Sequence, residues 1–272
     1  MNIGIIGLGS IGQMLVKAFC KSGAVAPEEL VVFNRTREKA DNLRAEYDLK
    51  IADTAQAVCN QMDIVFVCTK PLEILPLLRT LTIPAKTHVV SVAAGVSIAD
   101  LEGVHTGSVS KVIPTVTSSQ LRGVSLFACS ERLSSEQREQ LKWLLSRISV
   151  AQDITEEEIE TATILTSSAP GLIAGILESY AQAAVRKTPA LSIEKAREML
   201  VETMLGTATL LQNEKLGFDQ LIERVATKGG ITEEGLRVLG KTLPKGFDEL
   251  FDMTASKHDT LKQMIHKQNS TL

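Results

Sequence analysis

Ile3-Gly4-Ile5-Ile6-Gly7-Leu8-Gly9-Ser10-Ile11-Gly12 is a short apolar run that passes directly into a glycine loop, and residues 13–21 continue it with helical periodicity. The loop has the spacing G-x-G-x-x-G. Gly7 permits a tight turn, Gly9 lets backbone approach a pyrophosphate, and Gly12 allows helix and strand to pack closely. The helix that follows turns its free N–H groups and positive dipole end toward phosphate. The spacing alone is weak, but a strand before it and a helix after it are the context that gives it meaning. The chain is therefore expected to open with a dinucleotide-binding βαβ unit.

Outward from this unit, residues 30–33, 64–67 and 88–92 form further apolar runs, with a helical pattern over residues 37–46. Such runs suit strands of a parallel sheet covered on both faces. Residues 109–113 and 123–127 are expected as additional strands at the sheet edge. Beyond about residue 153 the strand signal fades. Helices are expected over residues 159–165, 172–186, 193–212, 218–226, 235–241 and 247–267, broken at Pro170, Pro189, Gly217, Gly229-Gly230 and Pro244. The expected architecture is α/β: a Rossmann-type doubly wound sheet over residues 1–153, then an all-helical domain over residues 154–272. The helix over residues 172–186 starts apolar on most of its surface, with Leu172, Ile173, Ala174, Ile176 and Leu177. Such a helix is buried, either within its own domain or in a subunit interface. The interface is preferred, because so small a helical region holds several such helices.

Composition narrows the function. The net charge of -3 gives no reason to invoke nucleic acid or an anionic membrane surface, and no apolar run reaches the length of a bilayer span. The cysteines, Cys20, Cys59, Cys68 and Cys129, show no metal-ligand spacing, and the four histidines are scattered. No metal is expected. A reduced, cytoplasmic protein acting on a small molecule fits these features.

The end of the second strand bears on which cofactor binds. An acidic residue there holds the ribose hydroxyls in NAD enzymes. This chain has Asn34-Arg35-Thr36, with Arg37 nearby. No carboxylate repels a 2′-phosphate, and Arg35 can pair with one. NADP(H) is expected, with NAD(H) as the weaker alternative; the competing reading is a solvated turn that caps the next helix through Thr36. Thr69-Lys70-Pro71 follows the strand over residues 64–67 and is expected to line the crevice. After the next strand, Ala93-Ala94-Gly95 leaves room for a nicotinamide ring. Either segment can instead be a plain strand-to-helix turn.

With these residues in view, the chain resembles the pyrroline-5-carboxylate reductase family along nearly its whole length. The glycine loop, Asn34-Arg35, Lys70-Pro71 and Ala93-Ala94-Gly95-Val96 stand where that family has similar motifs. So does Ala181-Gln182-Ala183-Ala184-Val185-Arg186-Lys187. Thr227-Lys228-Gly229-Gly230-Ile231-Thr232 occupies the position of the family's S-P-G-G-T-T loop. The resemblance implies a helical dimerisation domain, a homodimer or higher homo-oligomer, and NADPH-dependent reduction of a cyclic imine, 1-pyrroline-5-carboxylate, to L-proline. It further implies that Thr227, Gly229, Gly230, Ile231 and Thr232 bind substrate, with the Thr232 hydroxyl beside the imine nitrogen as the catalytic group.

The chain also departs from the family pattern. Ile113-Pro114-Thr115-Val116-Thr117-Ser118 replaces M-P-N-T-P-A, and Lys228 and Ile231 replace Pro and Thr of the loop. These departures resemble a divergent, late-competence-associated branch of the family. They keep a second reading open: a non-catalytic or differently specific reductase-like protein with a regulatory role.

Overall fold

The structure is a computed structural model and describes residues 1–270. The chain runs β1 (Ile3–Ile6), α1 (Ser10–Ser22), β2 (Leu30–Phe33), α2 (Arg37–Tyr47), β3 (Lys50–Ile51), α3 (Ala55–Cys59) and β4 (Ile64–Val67). It continues through α4 (Pro71–Arg79), β5 (His88–Ser91), α5 (Ile98–Glu102), β6 (Val109–Ile113), β7 (Val124–Cys129), α6 (Ser135–Ser146) and β8 (Val150–Asp153). Only helices follow: α7 (Ile159–Thr166), α8 (Ala169–Lys187), α9 (Ile193–Glu214), α10 (Phe218–Val225) and α11 (Ile231–Ser270).

The strands form one sheet in the order β3-β2-β1-β4-β5-β6-β7-β8. Every neighbouring pair is parallel except β6 and β7. The order reverses between β1 and β4, and ligands of such sheets bind outside the carboxyl ends of the strands at that reversal. β1, β4, β5 and β6 are buried at every residue, because helices cover both faces. Successive side chains go to opposite faces. Ile3, Ile5, Ile64 and Phe66 pack with Leu15 and Phe19 of α1 and Leu144 of α6. Ile6, Val65 and Val67 pack on the other face with Val58 of α3 and Ile74 and Leu78 of α4. Gly4 belongs to this second face. A Cβ there would stand 2.4 Å from a methyl of Val58, so glycine lets α3 lie close to the sheet.

The structure differs from the sequence expectation in two places. The segments over residues 109–113 and 123–127 are strands, but not the outermost ones. β8 is the edge, and its Val-Ala-Gln-Asp sequence is too polar to show an apolar run. Pro244 does not break a helix, since α11 runs through it. A proline removes one donor and crowds the carbonyl four residues earlier. That carbonyl belongs to Gly240, and the helix continues on both sides of it. The chain divides into two compact units at 168/169 and 253/254. The first unit is Met1–Ser168 together with the chain from Thr254 onward, and the second is Ala169–Met253. α7 stays with the first unit because Ile159 packs against Leu126 and Ala128 of β7. The end of α11 stays with it because Ile265 is buried against the second face of the sheet.

Candidate functional site

In the first unit the carboxyl ends of β1, β2 and β4 surround a cleft of about 480 Å3. Gly7, Gly9, Asn34, Arg35, Thr36, Thr69 and Lys70 line it. The glycine loop explains its own composition. Gly7 has φ +97°, in the left-handed region that favours glycine, and a Cβ at Gly12 would stand 2.0 Å from the Gly7 carbonyl oxygen. Gly9, by contrast, has nothing within 4 Å of where its Cβ would be. The loop is closed where chain meets chain and open where a ligand's phosphates would lie. α1 begins beside it with no side-chain cap and no acidic residue in its first turn, which leaves its end positive.

Two hydrogen bonds tie the loop to the end of β2. The Gly7 N–H donates to the Phe33 carbonyl at 2.8 Å, and the Leu8 N–H donates to Asn34 Oδ1 at 2.8 Å. Asn34 Nδ2 donates to the Thr36 carbonyl at 2.9 Å. Asn34 thus braces the loop through its side chain. The side chain of Leu8 is wholly buried in the core. Thr36 is the residue before α2, but its hydroxyl makes no capping bond, so the reading of Thr36 as a helix cap finds no support.

The charges on the cleft are unequal. Arg37 donates to Asp53 at 2.7 Å and lies near Asp41, which neutralise it and raise its pKa. Arg35 makes no ion pair among the described residues. Neither does Lys39, which lines the cleft as the third residue of α2 and was missed in the sequence. No sequence signal marked it: Arg35 lies in the bend before α2, and only the course of that bend brings Lys39 to the same cleft. No acidic residue stands at the end of β2; Glu73 of α4 lines the cleft from another side. Cys68 also lines it, and burial pushes its thiol pKa up, so the thiol is neutral. Thr69 Oγ1 is buried without a hydrogen-bond partner among the described residues. A buried hydroxyl left unmatched is costly, and at this cleft a ligand acceptor would satisfy it. Pro71 is the first residue of α4. Ser10, Ile11, Pro71, Ala93, Ala94 and Gly95 do not line the cleft itself. Ala93 and Gly95 follow β5, and Gly95 takes φ +81° with Leu261 and Ile265 close above it.

The residues 227–232 belong to the second unit. Gly229 has φ +73° and donates its N–H to Glu233 Oε2 at 2.6 Å, while the Gly230 N–H donates to the Thr227 carbonyl at 2.9 Å. A Cβ at Gly230 would meet Thr227 Oγ1 at 2.6 Å. The glycine N–H groups are therefore engaged within the turn. The first N–H groups of α11, from Ile231, Thr232 and Glu233, lack intrahelical acceptors and remain available. Thr232 is exposed, its hydroxyl unbonded among the described residues, and Ile231 is 93% exposed. Among the described residues no cluster of His, Cys, Asp and Glu could hold a metal ion, and no helix is long and apolar enough to cross a membrane.

Comparison with known proteins places these features. The family model described as pyrroline-5-carboxylate reductase dimerisation matches residues 156–261. A second, described as NADP oxidoreductase coenzyme F420-dependent, matches residues 2–95. The chain is 39% identical to pyrroline-5-carboxylate reductase 3 of Bacillus subtilis over 98% of its own length and 99% of the relative's. It is 30% identical to ComE operon protein 4 of the same organism over 98% and 99%. A crystal structure of 1-pyrroline-5-carboxylate reductase from Streptococcus pyogenes has the same fold, with a TM-score of 0.83 at 24% identity, covering 97% of this chain and 98% of that one.

Proposed function

The chain belongs to the pyrroline-5-carboxylate reductase family, and from that premise we propose that it catalyses the NADPH-dependent reduction of 1-pyrroline-5-carboxylate to L-proline. The observation that carries the proposal is the end-to-end likeness to a reductase at 39% identity, together with a cleft whose free charges suit NADP. The glycine loop and the start of α1 hold the pyrophosphate through backbone N–H groups. Arg35, with Thr36 and Lys39, holds the 2′-phosphate, and Thr69 Oγ1 gains the partner it lacks. Ala93, Ala94 and Gly95 follow β5 beyond the cleft and would face the nicotinamide, with Leu261 and Ile265 covering the Cβ side of Gly95. When bound, NADPH supplies the hydride that converts the planar imine carbon to a tetrahedral one.

The remaining work falls to residues 227–232. A substrate carboxylate is held by the first N–H groups of α11, where the dipole of a helix favours negative charge. The Thr232 hydroxyl hydrogen-bonds the imine nitrogen and keeps it in the electrophilic, proton-bearing form. Residues 1–153 are in this reading the cofactor-binding part, and residues 154–272 the substrate-binding and dimerisation part. The protein is a homodimer or higher homo-oligomer working in the cytoplasm, where its four free cysteines stay reduced.

Likeness to ComE operon protein 4 and the altered loop residues Lys228 and Ile231 favour one alternative, a regulatory protein that keeps the cofactor site. Purified protein mixed with NADPH and 1-pyrroline-5-carboxylate distinguishes them. Substrate-dependent NADPH oxidation is the expected result. Tight NADPH binding with no reduction of any cyclic imine supports the regulatory reading instead.

A further inference from the structure

Lys111 lies in β6, in register with Ser91 of β5, and its side chain is only 5% exposed. Lysine is almost never buried in a sheet interior without a partner. The partner here is Glu156, whose Oε1 lies 3.0 Å from Lys111 Nζ. The same Oε1 accepts the backbone N–H of Ile98 at 2.9 Å. Ile98 is the first residue of α5, and the residue before it, Ser97, is locked by a reciprocal capping box with Asp100. One carboxylate oxygen therefore joins a buried cation to the exact point where the segment after β5 becomes helix.

That segment is 92–97, and it contains Ala93, Ala94 and Gly95. It is held at its start by β5 and at its end by Glu156. Gly95 between them has φ +81° and a close apolar ceiling, its would-be Cβ 3.1 Å from Leu261 and Ile265. A loop clamped at both ends, with a small residue under a ceiling between them, has little freedom to shift. Nothing in the phosphate-binding residues needs this arrangement.

We infer that the buried Lys111–Glu156 pair is a positioning device that fixes the 93–97 loop against the nicotinamide, resting on the NADP reading above. Lys111 touches neither substrate nor cofactor. It acts by holding Glu156 in place, and Glu156 acts by holding Ile98. Misplacing a reacting group by about 1 Å can cost on the order of 100-fold in rate, while the affinity supplied by phosphate contacts is untouched.

The test compares wild type with Lys111→Met, Glu156→Ala and Lys111→Arg. It measures the fluorescence of bound NADPH, the affinity for NADP+ and the split between kcat and KM. In Lys111→Met and Glu156→Ala, kcat is expected to fall about tenfold or more, with the emission of bound nicotinamide altered. NADP+ affinity should stay within about threefold, and Lys111→Arg should restore both signals. Glu156 is partly exposed, so its alanine variant carries the test if Lys111→Met does not fold. Unchanged emission and kcat in the folded variants overturn the inference. So does a parallel loss of NADP+ affinity and kcat that arginine does not rescue, because that marks a purely structural pair. Wild-type protein that binds no NADPH overturns the cofactor reading itself, and is recognised before any variant is made.

Discussion

In the sheet-bearing unit Phe19, Phe66 and Phe127 are wholly buried amid a shell of aliphatic side chains, whereas between Ala169 and Met253 only Ala181 and Ala196 are buried among the described residues. The second unit is not poor in apolar residues. Ile173, Ile176, Met199, Val201, Leu205, Phe218, Ile222 and Val225 are all exposed on its helices. The first unit completes its own core from both faces of a sheet; in the second, α8 buries Ala181, α9 buries Ala196, and an exposed Arg197–Glu178 pair joins the two helices, with bonds of 2.8 and 2.7 Å. Monomeric proteins rarely leave apolar patches of that extent open. The contrast teaches that the cofactor-binding part can be read from one chain, while the helical part has a surface that calls for a second copy.

The sharpest way to break this contrast is to charge the open surface. Ile176→Glu should place an unpaired carboxylate in the dimer interface, at a cost of about 3–5 kcal/mol. Sedimentation should then show a single-chain species where wild type shows at least two chains. NADPH should still bind, because the cleft lies in the other unit. A dimer that survives Ile176→Glu would mean that this face is not the interface.

The core of the first unit has its own pH signature. His88 is 1% exposed, donates or accepts at Ser110 Oγ at 2.8 Å, and burial lowers its pKa to about 4. Unfolded, it titrates near its ordinary value of 6.5. Between these values the unfolded state binds more protons, so stability is full above about pH 6.5 and is lost as pH falls toward 4. The difference of 2.5 pH units corresponds to about 3 kcal/mol. Urea denaturation at stepped pH should show this slope, and His88→Gln should flatten it. A wild-type slope unaltered in the variant would assign the acid sensitivity elsewhere.

Smaller effects probe the two sites separately. Arg35→Ala should weaken NADPH by about 1.5–3 kcal/mol and leave NADH nearly unchanged, with Lys39→Ala weaker in the same direction; equal calorimetric affinities of wild type for the two cofactors would contradict the 2′-phosphate assignment. Thr232→Val keeps size and branching but removes the hydroxyl. Turnover should fall about tenfold, or roughly 1.4 kcal/mol, with NADPH affinity unchanged. Turnover equal to wild type would remove Thr232 from the mechanism.

Much of the first unit was legible because its signals are local. A strand, a glycine loop and a helix follow one another within residues 3–22, and Gly12 closes against the Gly7 carbonyl. β8 was not legible, because as an edge strand it has no apolar run. Nor was the continuity of α11 through Pro244, because a proline in sequence normally marks the end of a helix. Lys39 escaped notice because its role depends on where α2 enters the cleft. Lys111 and Glu156, 45 residues apart, carry no sequence signal for their pairing. The 227–232 loop was found through family resemblance alone; its engaged glycine N–H groups and free first turn appear only in the structure.

This chain is proposed to move a hydride onto a cyclic imine. NADPH carrying deuterium at both C4 positions, incubated with the protein and 1-pyrroline-5-carboxylate, tests it most directly by mass spectrometry of the product. The prediction is L-proline with one deuterium on the ring carbon that was the imine carbon, formed mole for mole with oxidised cofactor. Bound NADPH with no labelled proline would contradict it.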